Sequence, residues 1–90
     1  MKIKIKTELR DGNAYQAIVR IGNEVLHFPE SDEQIIDLAP RKYSASVAGF
    51  QDPSNDDSEV TVTFLKNDTI LKQITISDRT FIKLFFVNVN

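Results

Sequence analysis

The stretch DLAPRKYSASVAG, Asp37 to Gly49, decides the fold. Leu38, Pro40 and Tyr43 lead straight into a run in which Tyr43, Ala45, Val47 and Gly49 alternate with Ser44, Ser46 and Ala48. Alternation with period two is the pattern of a half-buried strand. Pro40 cannot donate to a ladder, so it belongs to the connection before that strand. A Tyr at the start of the strand offers a ring to the core and a hydroxyl to the turn behind it. The order predicts a corner at which the chain crosses from one sheet of a β-sandwich to the other. Leu38, Pro40 and Tyr43 are its structural residues.

Outward from the corner the period stays at two. Ile3, Ile5 and Leu9 alternate with Lys2, Lys4 and Lys6; Asp11-Gly12-Asn13 supplies turn chemistry. Tyr15, Ala17, Val19 and Ile21 then share a face opposite Gln16 and Arg20, and Gly22-Asn23 turns the chain again. Val25 to Phe28 is a short strand ended by Pro29, and Glu30 to Glu33 reads as a polar loop. Ile35, Ile36 and Leu38 form a short strand into the corner. A helical turn over Ser31 to Leu38 competes, because Ser31 and Gln34 have capping-box spacing.

Beyond the corner, Gln51 to Ser58 is the one extended polar stretch and reads as a loop. Val60, Val62 and Phe64 alternate with Thr61 and Thr63. Lys66-Asn67-Asp68 turns, and Ile70, Ile74 and Ile76 return with Lys72 out of pattern. Ser77-Asp78-Arg79 turns once more before a final strand from Phe81 to Val89. Roughly seven or eight short strands with regular turns predict one all-β, immunoglobulin-like sandwich of two mostly antiparallel sheets.

The bulk properties set bounds on function. Ninety residues make one domain, residues 1–90, and a chain this short buries only about 60–65% of its unfolded surface. There is no Cys, so disulfides, thiolate zinc sites and Cys nucleophiles are excluded. Eleven basic and thirteen acidic residues leave a net charge of −2, which gives no electrostatic reason for nucleic acid. MKIKIKTELR alternates and lacks the apolar run of a signal peptide; no window has the length of a membrane span. We therefore expect no nucleic acid and no membrane insertion. Two origins fit: a cytoplasmic or virion protein starting at Met1, or an excised domain of a larger surface or secreted protein.

At the corner the residues resemble two related groups of sandwich domains. Fibronectin type III modules carry Leu, Pro, Gly and Tyr in a similar order before a strand. Transthyretin-like domains of the carboxypeptidase regulatory kind use a shorter L-x-P-G-x-Y form, the spacing of Leu38, Pro40 and Tyr43. The chain departs from the pattern at Arg41, where the family has Gly; Arg prefers negative φ, so a different turn is expected. The resemblance covers about a dozen residues. It implies the sandwich fold and a scaffold role for Tyr43, and brings no catalytic residue with it.

Candidate chemistry is sparse. His27, the sole histidine, sits at strand spacing in VLHF with no glycine-flanked Ser to pair with, so no enzyme constellation is expected. Asp52, Asn55, Asp56, Asp57 and Glu59 fall within one short segment. Calcium takes six to eight hard oxygen ligands, so Asp52, Asp56, Asp57 and Glu59 are the candidate metal ligands of a calcium-dependent adhesion or ligand-binding module; the alternative is a solvated acidic loop. The spacing lacks the EF-hand order and its central Gly. Lys2, Lys4 and Lys6 have no aromatic among them and are read as guarding a terminal strand against edge pairing. With no Trp, a flat aromatic platform for carbohydrate is not expected. Asn67-Asp68-Thr69 is a glycosylation sequon, meaningful only in a eukaryotic secretory context.

The last strand departs from the half-buried pattern. FIKLFFVNV puts Phe81, Phe85, Val87 and Val89 on one face and Ile82, Leu84 and Phe86 on the other. In a two-layer sandwich only one face of a sheet is inside, so the second face needs a cover. A homodimer, a neighbouring domain or a docking protein partner would supply it; so would the 51–58 loop or lysine stems of the same chain. Ile82, Leu84 and Phe86 are the expected partner-binding residues of a non-catalytic structural or protein-interaction module.

Overall fold

The computed structural model describes residues 1–10, 15–51 and 59–90. Its strands are β1 (Lys2–Arg10), β2 (Tyr15–Ile21), β3 (Glu24–Phe28), β4 (Asp32–Asp37), β5 (Arg41–Gln51), β6 (Glu59–Lys66), β7 (Thr69–Ile76) and β8 (Thr80–Val89). They form two four-stranded sheets, β4-β1-β6-β7 and β3-β2-β5-β8, in which every pairing is antiparallel. The chain is an all-β sandwich. Only β2–β3 and β6–β7 stay within a sheet as hairpins. Every other step along the chain changes sheet.

The alternation explains which faces meet. Ile3 and Ile5 of β1, Val60, Val62 and Phe64 of β6 and Ile76 of β7 point inward from the first sheet. Ala17, Val19 and Ile21 of β2, Leu26 and Phe28 of β3, Tyr43, Ala45 and Val47 of β5, and Phe81, Val87 and Val89 of β8 oppose them. The layers touch directly where Phe64 meets Phe85, ring centroids 5.7 Å apart at 67°, the edge-to-face arrangement favoured by aromatic quadrupoles. β-branched side chains dominate this core, as suits a pleated surface.

Both hairpins close on two-residue turns with positive φ, which match the right-handed twist of their strands. Gly22 (φ 58°) follows the closing pair Ile21–Glu24, and Asn67 (φ 49°) and Asp68 (φ 63°) lie between Lys66 and Thr69. Both central residues of the second turn are left-handed, as type I′ demands.

Several expectations are corrected: Leu38 lies just beyond β4, and Gln51 ends β5 instead of opening a loop. Asp32 and Glu33, read as loop, begin β4, because that strand pairs with β1 as far as Thr7↔Asp32. The competing helical turn there is a strand. Ile70 does not return to the core. Phe64 pairs with Lys72 but Leu65 with Ile70, so Leu71 is an extra residue on β7. This bulge turns Leu71 onto the core, leaves Ile70 54% exposed, and lets the Lys72 ammonium lie 5.9 Å from the centre of the Phe85 ring. Finally, β1 is a central strand, so its lysines guard no edge. They face the acidic β4 instead: Lys2 is opposite Asp37, Lys6 opposite Glu33, and Lys4 Nζ lies 3.9 Å from Glu33 Oε2.

Three polar residues, Thr7, Gln51 and Thr63, are buried among the described residues, and Gln51 ties strands together. Gln51 is 2% exposed, and its Nε2 donates to the carbonyls of Ile76 (2.9 Å) and Asp78 (2.8 Å). Its backbone N–H donates to Arg79 O at 2.7 Å. Gln51 thereby ties the end of β5 to the crossover from β7 to β8.

Candidate functional site

The corner comes first because it orients the site. β4 ends at Asp37 in one sheet and β5 begins at Arg41 in the other. Leu38 is buried beneath the connection and its N–H donates to Met1 O at 2.8 Å; Pro40 is exposed at the turn. The Tyr43 ring is buried, and its hydroxyl donates to Ala39 O at 2.7 Å. Gly22 packs against one part of that ring so closely that a Cβ there would lie 2.9 Å from Tyr43 Cδ1. The Arg41 guanidinium covers it at 4.5 Å from the centroid. Arg41 is thus the first residue of β5, with no positive φ, and its side chain caps the tyrosine.

The corner launches β5 down the middle of the second sheet, with β8 on its far side. The outward positions of β5 are Ser44, Ser46, Ala48 and Phe50, and their register partners on β8 are Phe86, Leu84, Ile82 and Thr80. Across β2, Ile18 lies opposite Ala48 and Arg20 opposite Ser46. Small side chains on β5 therefore form the floor of a shallow trough. Its walls are Arg20 on one side and Leu84 on the other, with Ile82 farther along.

Ile82, Leu84 and Phe86 are 73%, 80% and 62% exposed. The sequence places them together and the fold does so on an open face. Lys42 Nζ sits 4.7 Å from the Phe86 ring centre, so a lysine stem covers that one residue in part. Ile18, Val25 and Phe50 extend the same face and were not singled out by pattern alone. The available signal was Ala17-Ile18-Val19, a run apolar in both phases like the last strand. No outward position of β2, β3, β5 or β8 carries a carboxylate; Arg20 and Lys42 give this face a cationic cast.

The remaining candidates are quickly placed. His27 is exposed on β3 beside Ile18, and its carbonyl accepts from Gln34 Nε2 at 3.0 Å. Asp52, Asn55, Asp56 and Asp57 lie outside the described residues; Glu59 opens β6 opposite Arg10. Among the described residues no three His, Asp or Glu side chains gather as a metal site, and no helix is long and apolar enough to cross a membrane. Asn67 of the sequon occupies the exposed β6–β7 turn. Comparison with family models, curated proteins and solved structures returns no match.

Proposed function

We propose that this domain is a non-catalytic interaction module of the immunoglobulin-like kind, which engages a protein through β8 and the trough beside it. The observation that carries the reading is the exposure of Ile82, Leu84 and Phe86, three large apolar side chains in a row on one strand. Leaving such surface in water is unfavourable by about 25 cal/mol per Å², and contiguous apolar patches of this kind mark contact sites. Support for the immunoglobulin-like reading comes from the corner between the sheets and not from the strand order, which differs from the immunoglobulin one. β4 and β5 lie in opposite sheets, and a tyrosine at the start of β5 returns its hydroxyl to the backbone four residues earlier. Arg41 in place of Gly is consistent with that reading, because it shields the same ring.

A photo-crosslinking amino acid placed at Leu84, in the protein produced in its own cells, tests the reading; the control carries it at Thr61 on the outer face of the other sheet. Specific adducts at Leu84 and none at Thr61 are expected. Equal labelling of the two positions, or no adduct at Leu84, overturns it. The adduct mass separates a second copy of the chain from any other partner.

A further inference from the structure

The sandwich has four strand edges among its described residues, and they are not equally defended. β3 has five residues and is followed by Pro29. β4 carries Asp32, Glu33 and Asp37. β7 has the bulge at Leu71 and the neighbouring Lys72. Short length, charge and bulges are the devices by which natural sheets discourage edge pairing. β8 is ten residues long, pairs only with β5 among the described residues, and has one charged residue, Lys83.

Backbone parity shows what this edge offers. A two-residue hairpin closes on a pair that exchanges both backbone bonds, so Ile21, Val19 and Ala17 face β3. Arg20, Ile18 and Gln16 then face β5, where their partners are Ser46, Ala48 and Phe50. The alternate residues Tyr43, Ala45, Val47 and Gly49 face β8 and bond Val87, Phe85, Lys83 and Phe81. Two bonds outside the regular ladders agree: Gly22 N–H donates to Ser44 O on the β2 side, and Gln51 N–H to Arg79 O on the β8 side. The N–H and C=O groups directed at the open edge are therefore those of Ile82, Leu84 and Phe86, with Thr80 and Asn88 beyond them. The same three residues present exposed side chains and backbone groups that no strand among the described residues pairs.

We propose that the occupant of this edge is a second copy of the chain, with β8 pairing antiparallel to β8 of its partner about a two-fold axis at Leu84. The proposal rests on the interaction reading above and names the partner. Leu84 then lies opposite its own copy and Ile82 opposite Phe86 of the other chain. All three residue pairs exchange two backbone bonds and stack apolar side chains. The two sheets become one sheet of eight strands. Charge rules out an axis at Lys83, which would oppose two like charges, and an axis at Leu84 centres the three apolar residues on the seam with Lys83 beside Phe85. Charge also favours edge pairing over face-to-face packing. Every residue whose backbone points at the seam is uncharged, while stacked faces would bring together two copies of Arg20 and Lys42 with no carboxylate between them.

The absence of Cys makes the test unambiguous, because a single introduced thiol can cross-link only with its copy. Sedimentation equilibrium of the unaltered protein should show a mass rising with concentration from 10.2 kDa toward twice that value. Opposed residues of a bonded pair are about 5.5 Å apart between Cα atoms, within disulfide reach. Under mild oxidation Leu84→Cys should therefore form covalent dimer at least tenfold faster than Thr80→Cys, whose copies lie far apart in this register. Leu84→Pro removes only an edge-directed N–H, so it should keep the ladder to β5 and abolish self-association. Leu84→Lys, which sets like charges at the axis, should do the same. A mass fixed at 10.2 kDa up to millimolar concentration, or equal cross-linking at both cysteines, overturns the second copy. If that result accompanies an in-cell adduct at Leu84 of another mass, the interaction reading stands without it; with no adduct, both fall.

Discussion

Tyr43 shows how much one side chain can fix. Its ring is clasped between the Gly22 backbone and the Arg41 guanidinium, and its hydroxyl pins the crossover between the sheets through Ala39. Tyr43→Phe removes one part-buried hydrogen bond and should cost about 1 kcal/mol in urea unfolding. Gly22→Ala should cost more than about 1 kcal/mol, because it needs positive φ and pushes a methyl into the ring. Arg41→Gly, which restores the residue of the family pattern, should destabilise by about 0.5–1 kcal/mol through loss of the cation–π contact. Here the sequence was legible in part. Leu38, Pro40 and Tyr43 announced the corner, but nothing in the spacing said that Arg41 would cover the ring. A second residue has a pH signature. The Met1 ammonium donates to Asp37 Oδ1 at 2.8 Å, and this bond, with the charge behind it, holds the Asp37 pKa below its ordinary value. The contact contributes stability above the ordinary value, and that stability is lost as the pH falls through the lowered one. An NMR titration should find Asp37 ionising below the ordinary aspartate value, and N-terminal acetylation should return it toward that value.

At the scale of elements, period two located most strands and inward faces but failed wherever a neighbour strand mattered. The lysines of β1 looked like edge protection because a single strand does not reveal what flanks it; β4 and β6 on either side make them cross-strand partners. The bulge at Leu71 shifts phase within β7, which no alternating template anticipates. Gln51 opened a polar run and was read as loop, yet it is buried because the crossover beyond β7 leaves carbonyls for its amide to bond. Gln51→Leu should therefore cost about 1–3 kcal/mol, the penalty of leaving buried acceptors unpaired, measured by denaturant unfolding. The β6–β7 turn predicts the opposite sign. Asp68 is left-handed at φ 63°, where Gly carries no steric penalty, so Asp68→Gly should raise the melting temperature by a few degrees for a gain of roughly 0.5–1 kcal/mol.

The whole molecule is a sandwich with one plain asymmetry. The outer face of β4-β1-β6-β7 sets the lysines of β1 against the acids of β4, whereas that of β3-β2-β5-β8 is apolar and cationic and ends in a long open edge. Two apolar phases on one strand made the exposed apolar row visible in the sequence. That β8 is terminal in its sheet, and that Ile82, Leu84 and Phe86 direct their backbone outward, came only from the register of the strands around it. Amide hydrogen exchange along β8, followed by NMR at low and high protein concentration, tests this most directly. At low concentration Phe81, Lys83, Phe85 and Val87 should be protected and Ile82, Leu84 and Phe86 should exchange freely; at high concentration those three should become protected as well. Protection of all seven in the dilute monomer, or free exchange of Ile82, Leu84 and Phe86 at every concentration, would contradict the account.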